Sequence, residues 1–79
     1  MLISHERLAQ LKEQLDYLEQ AYQFAFDRNV LRLGKQGVSN DDISSEAILE
    51  TDSEFERAGM NTAQARIQLE IDFLTDYFK

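Results

Sequence analysis

The sequence predicts an all-α fold, an antiparallel helical hairpin that completes a four-helix-type bundle by oligomerisation. Three observations lead there: a composition without breakers, a heptad seam in the first third, and a second helix start close behind a short glycine-containing link. Proline is absent and there are three glycines in 79 residues. Leu, Glu, Gln, Ala and Arg, all good helix formers, are plentiful.

The first helix is expected over about residues 4–34. Ser4 is a suitable N-cap, with Ile3 outside and Leu8 one turn inside as a hydrophobic staple, and Glu6 suits the positive end of the helix dipole. Leu8, Leu11, Leu15, Leu18, Tyr22 and Ala25 alternate spacings of three and four, which puts all six on one face. The next heptad position is the polar Asn29. The apolar series therefore reads as shifting to Tyr22, Phe26, Val30 and Leu33, a stutter. Arg28, Arg32 and Lys35 gather near the carboxyl end as dipole partners, and Gly34 or Gly37 supplies the left-handed stop.

The start logic repeats at once, with Ser39 as cap, Val38 and Ile43 as staple, and Asp41 and Asp42 in the first turn. A second helix is expected over about 40–78, antiparallel to the first because the link is so short. Two weak points fall within it: Thr51-Asp52-Ser53-Glu54 reads as a capping box, and Gly59-Met60-Asn61 as a stop and restart. An unbroken helix would reach nearly 60 Å at ~1.5 Å per residue and overhang its partner, so a kink or break is expected near 51–53 or 59–61.

Both helices carry more apolar surface than one neighbour can cover. On the first, Tyr17, Ala21, Phe24 and Leu31 lie opposite the seam. On the second, Met60, Ala63, Ile67, Ile71, Leu74 and Phe78 form one stripe, Ala65, Leu69 and Phe73 sit nearly opposite, and Tyr77 lies between. Arg66 and Glu70, one turn apart, are placed to pair. A fold in which 40–55 turns back over one rear patch would hide part of this surface in a three-helix monomer. Association hides more. A single domain over 1–79 has little core of its own, and without cysteine there is no disulfide to reinforce it. The chain is therefore expected to bind protein, either itself or another chain, with a homodimer favoured.

The net charge of −7 is unevenly placed. Residues 1–37 hold five acids and five bases, residues 57–79 three and three, and residues 38–56 seven acids with no base. Such a segment repels phosphates, so direct nucleic-acid binding is not expected. A neutralising partner is the alternative: Asp41, Asp42, Glu46, Glu50, Glu54 and Glu56 can act as an electrostatic decoy, or DNA mimic, against a basic protein.

Catalytic chemistry is poorly provided for. His5 is the single histidine and stands near the chain end, which disfavours a catalytic triad and a di-metal carboxylate site. Counted from Asp42, the calcium-loop positions that need glycine and glutamate hold Ala47 and Ser53. No glycine-rich phosphate loop occurs. No enzyme activity, metal or cofactor is expected. Residues 1–6 lack a basic region followed by an apolar run, and no membrane-spanning stretch is present, so a cytoplasmic location is expected.

In size, acidity and hairpin form the chain resembles small secretion chaperones and needle subunits of type III systems, and phage-encoded inhibitors. It lacks the proline-containing turn of the needle type and shares no residue motif with any of them, so no family is assigned. The resulting expectation is a small acidic interaction module: an adaptor, chaperone-like partner or inhibitor. Its apolar contacts are Tyr17, Ala21, Phe24, Leu31, Leu69, Phe73 and Tyr77.

Overall fold

Ser4 opens the first helix as its sequence position requires. Its backbone is extended, and its hydroxyl accepts the Arg7 N–H at 3.0 Å. A computed structural model describes residues 3–79, and in it the chain forms α1 (His5–Lys35), α2 (Asn40–Arg57) and α3 (Met60–Tyr77). There is no strand among the described residues. Glu6 stands in the first turn of α1, and Arg32 and Lys35 in the last.

Gly37, not Gly34, makes the stop. Its φ of 88° is left-handed, and the amides of Gly37 and Val38 donate to the carbonyls of Gly34 and Leu33 at 3.2 and 3.1 Å, a Schellman closure. Ser39 stands at the N-cap of α2, but its hydroxyl donates to the Asp42 carboxylate (3.0 Å) and caps no amide.

The helix expected over 40–78 with a kink or break near 51–53 or 59–61 is two helices. They part at Ala58-Gly59, beside the second weak point, because Gly59 takes a left-handed φ of 73°. The same glycine closes one helix and opens the next: its amide donates to Glu56 O and its carbonyl accepts from Ala63 N, both at 3.1 Å. Residues 51–53, the other weak point, are continuous helix. Thr51 caps nothing there, since its hydroxyl is buried and donates to Ala47 O at 2.7 Å.

Cross-helix contacts give the arrangement. Gly34 lies by Ile43, Asn29 bonds Thr51, Tyr22 meets Phe55, and Arg7 reaches Glu70. Numbers fall along α1 as they rise along α2 and then α3, so the two shorter helices follow one another antiparallel to the long one. The molecule measures 51 × 18 × 17 Å, close to the ~46 Å that α1 spans at ~1.5 Å per residue.

The seam of α1 faces this second limb. Leu11 and Leu18 are buried, while Leu8, Leu15, Tyr22 and Ala25 are half-buried. Leu11, Ile71 and Leu74 form a buried cluster, with Leu8, Leu15, Ile67 and Phe78 packed around it. Toward the other end Leu33, Ala47 and Phe55 are buried, together with two polar residues, Asn29 and Thr51. Asn29 therefore sits inside the seam, where a stutter was expected to bypass it. Segment 40–55 does not fold over the rear of α1; it lies along the seam. Among the described residues no helix is long and apolar enough to cross a membrane.

Candidate interaction surface

Because an α-helix advances ~100° per residue, Tyr17, Phe24 and Leu31, seven apart, make one row on the side of α1 opposite Leu11, Leu18 and Leu33. They are 69, 73 and 68% exposed. Ala21, beside them, is half-buried. On α3, Leu69, Phe73 and Tyr77 are likewise exposed, Leu69 and Phe73 on the side away from the buried Ile71 and Leu74 and Tyr77 between the two sides. The rings of Phe73 and Tyr77 stack at 6.5 Å, and Tyr77 meets Phe78 edge-on at 5.2 Å. The two rows thus occupy the outward sides of different helices.

An open groove runs between α1 and α3, lined by Gln10, Glu13, Gln14, Tyr17, Leu18, Ala63 and Ile67. Tyr17 belongs to both this groove and the α1 row, linking the two surfaces. The exposed apolar surface also includes Ile48 and Leu49 on α2, which the sequence reading left out. A signal for them was present: in the run Ala47-Ile48-Leu49 three consecutive side chains span ~200° of helix, and only Ala47 points inward.

The six acids proposed for a basic partner divide into two kinds. Glu54 pairs with Arg28, and Glu50 with Arg32. Arg28 and Arg32, expected as dipole partners, thus face α2 carboxylates. Asp42 accepts from Ser39, whereas Asp41, Glu46 and Glu56 are simply exposed. Asp52, outside that set, accepts the Tyr22 hydroxyl at 2.7 Å. This bond raises the Tyr22 pKa above the usual tyrosine value, with burial and the Asp52 charge acting in the same direction.

The buried polar node is the feature that sequence reading missed. Asn29 Nδ2 donates to Thr51 Oγ1 at 3.0 Å and to Glu54 Oε1 at 2.9 Å. Those bonds satisfy a side chain that burial alone would penalise. They also hold the Glu54 carboxyl below its usual range, chiefly through the Asn29 bond and then through Arg28. An Asn at a heptad core position is a known register device, so its place in the 22–25–29 series was the available clue.

Near the opposite end, Glu70 pairs with Arg7 through two guanidinium nitrogens at 3.0 and 3.2 Å, and not with Arg66 as its spacing implied. His5 is exposed and stacks on Phe78, ring centroids 3.8 Å apart. Among the described residues no group of three His, Asp or Glu is placed to hold a metal ion. No family model, curated protein or solved structure matches the chain.

Proposed function

We propose that this chain is a small helical protein–protein interaction module, acting as an adaptor, chaperone-like partner or inhibitor, without catalytic chemistry of its own. The observation that carries the reading is the row Tyr17, Phe24 and Leu31, each about seven-tenths exposed on the outward side of the longest helix. Covering a large apolar side chain stabilises by roughly 1.5–3 kcal/mol, so a row of three supplies a strong drive for association. Leu69, Phe73 and Tyr77 give the second limb a comparable surface.

Light scattering tests this. The wild-type chain is expected to run as an oligomer, or to gain mass when its partner is added. Phe24→Glu is expected to abolish that gain while circular dichroism stays helical. Leu15→Glu, placed against the Leu11–Ile71–Leu74 cluster, is expected to unfold the chain. A wild-type monomer whose mass no partner changes contradicts the reading. Salt then separates apolar docking from an acidic contact, because association through Asp41, Asp42, Glu46 and Glu56 would weaken steeply with ionic strength.

A further inference from the structure

We infer that α3 has two docking faces for the one seam of α1, and that Gly59 decides which is used. With Gly59 left-handed, α3 docks through Ile67, Ile71 and Leu74; with Gly59 helical, α2 and α3 fuse into one helix that rolls the opposite face of α3 onto the seam. The inference goes beyond the interaction reading and does not depend on it.

An α-helix returns to the same side after about 18 residues, five turns of ~3.6. Ala65, Leu69 and Phe73 stand 18 residues after Ala47, Thr51 and Phe55. The earlier three are buried, whereas the later three are exposed. In an unbroken helix all six would lie on one face, joined by Ala58 and Thr62. Gly59 prevents this. Its left-handed backbone turns α3 by nearly half a revolution about its own axis, so Ile67, Ile71 and Leu74 meet the seam instead.

The stagger of the two limbs suits the second face as well. Arg7 meets Glu70, Tyr22 meets Phe55 and Asn29 meets Thr51. Carried along a straight helix, that stagger sets Ala65 at Leu15, Leu69 at Leu11 and Phe73 at Leu8. The margin is matched too. Glu70 lies ~60° to one side of the face now docked, and Asp72 lies ~60° to the same side of the alternative face, so Arg7 finds a carboxylate in either arrangement. Bulk favours the arrangement seen, because Ile67, Ile71 and Leu74 fill more of the seam than Ala65, Leu69 and Phe73, and glycine makes the left-handed break cheap. Rolling exposes Ile67, Ile71 and Leu74, so Gly59 also sets which apolar stripe a partner meets.

Gly59→Ala tests this. A Cβ there meets no atom within 4 Å, so its effect falls on the backbone: it disfavours the left-handed state and favours helix. No side chain caps α3 at Gly59, which leaves its first amides, Met60 to Thr62, without helical acceptors. In Gly59→Ala they gain the carbonyls of Glu56 to Ala58, and their exchange with solvent is expected to slow on the order of tenfold or more. The chain has no cysteine, so Ala63→Cys and Ala65→Cys report the roll through maleimide labelling. Ala63 is half-buried and Ala65 exposed. The Ala65→Cys thiol is expected to label the faster of the two in the wild-type background and the slower in Gly59→Ala. Gly59→Asn, which tolerates the left-handed backbone, is expected to keep the wild-type order. Protected amides without reversed labelling overturn the second docking face, since α3 would then straighten without meeting the seam. A Gly59→Ala chain that keeps the wild-type pattern, or that loses its helices by circular dichroism, overturns the alternative arrangement. A reversal shared by Gly59→Asn overturns the role of the left-handed backbone. None of these outcomes touches the Phe24 face, on which the interaction reading is tested.

Discussion

Where α1 meets α3, Leu11, Ile71 and Leu74 close an apolar cluster, with the Arg7–Glu70 ion pair at its margin. Where α1 meets α2, the buried positions include Asn29 and Thr51, flanked by Arg28–Glu54, Arg32–Glu50 and Tyr22–Asp52. The first half relies on a contact that is strong and tolerant of sliding. In the second, directional bonds fit only one alignment. Apolar burial drives the limbs together, and the polar half then selects the register, the role buried Asn plays in helical seams. Gly59 lies at the boundary and lets each half of the second limb take its own course along α1.

The largest effect that separates the halves is expected from the apolar cluster. Leu74 has no exposed surface, and Leu74→Ala leaves a cavity costing about 2–5 kcal/mol, enough to unfold a domain of this size. Urea denaturation followed by circular dichroism measures it, and a loss under 1 kcal/mol would show that this half is not the main source of stability.

Next comes the polar node. Asn29→Ala strips a donor from Thr51 and Glu54 and is expected to cost about 1–3 kcal/mol in the same assay. The double variant Asn29→Leu with Thr51→Val is expected to recover most of that loss while loosening the register. Amide hydrogen exchange reads the loosening as faster exchange in α2 than in α3.

Proton linkage sharpens the comparison further. The Glu54 carboxyl is held below its usual range when folded, so its stabilisation is complete above the ordinary glutamate value and fades as pH falls through the lowered one. Tyr22 has the opposite sign. Its pKa is raised, so the stabilisation from its Asp52 bond is full below the ordinary tyrosine value and is lost as pH climbs through the raised one. Both groups belong to the α1–α2 half. Glu54→Gln is expected to flatten the acid limb of a stability–pH curve and Tyr22→Phe the alkaline limb, and the curve of a variant altered only at Leu74 should keep both. Smallest of all, Arg7→Ala removes a partly exposed ion pair and is expected to cost about 0.2–1 kcal/mol, shrinking with added salt.

Much of this was legible in the chain, for identifiable reasons. The Leu8–Ala25 seam, the cap at Ser4 and the outward rows at Phe24 and Leu69 follow from helical period alone, which needs no knowledge of a neighbour. What escaped depends on which residues meet across helices. Counting charge by segment left 38–56 uncompensated, yet the bases that serve Glu50 and Glu54 lie on α1, more than twenty residues away along the chain in the case of Glu54. Glu70 looked toward Arg66 for the same reason, whereas Arg7 lies across the interface. Asn29 was judged by polarity, although its heptad position pointed inward. The weak point at 51–53 and that beside Gly59 looked alike in sequence. Only glycine reaches a left-handed backbone cheaply, and only Thr51 had an acceptor one turn back and a donor on the facing helix.

The most direct test of the surface at the centre of this account is the concentration dependence of thermal unfolding. Association that involves the folded state alone stabilises it by mass action, so the Tm of the wild-type chain is expected to rise with protein concentration, and that of Phe24→Glu to stay fixed. A wild-type Tm independent of concentration, equal to that of Phe24→Glu, would show that the face bearing Tyr17, Phe24 and Leu31 does not hold two copies together.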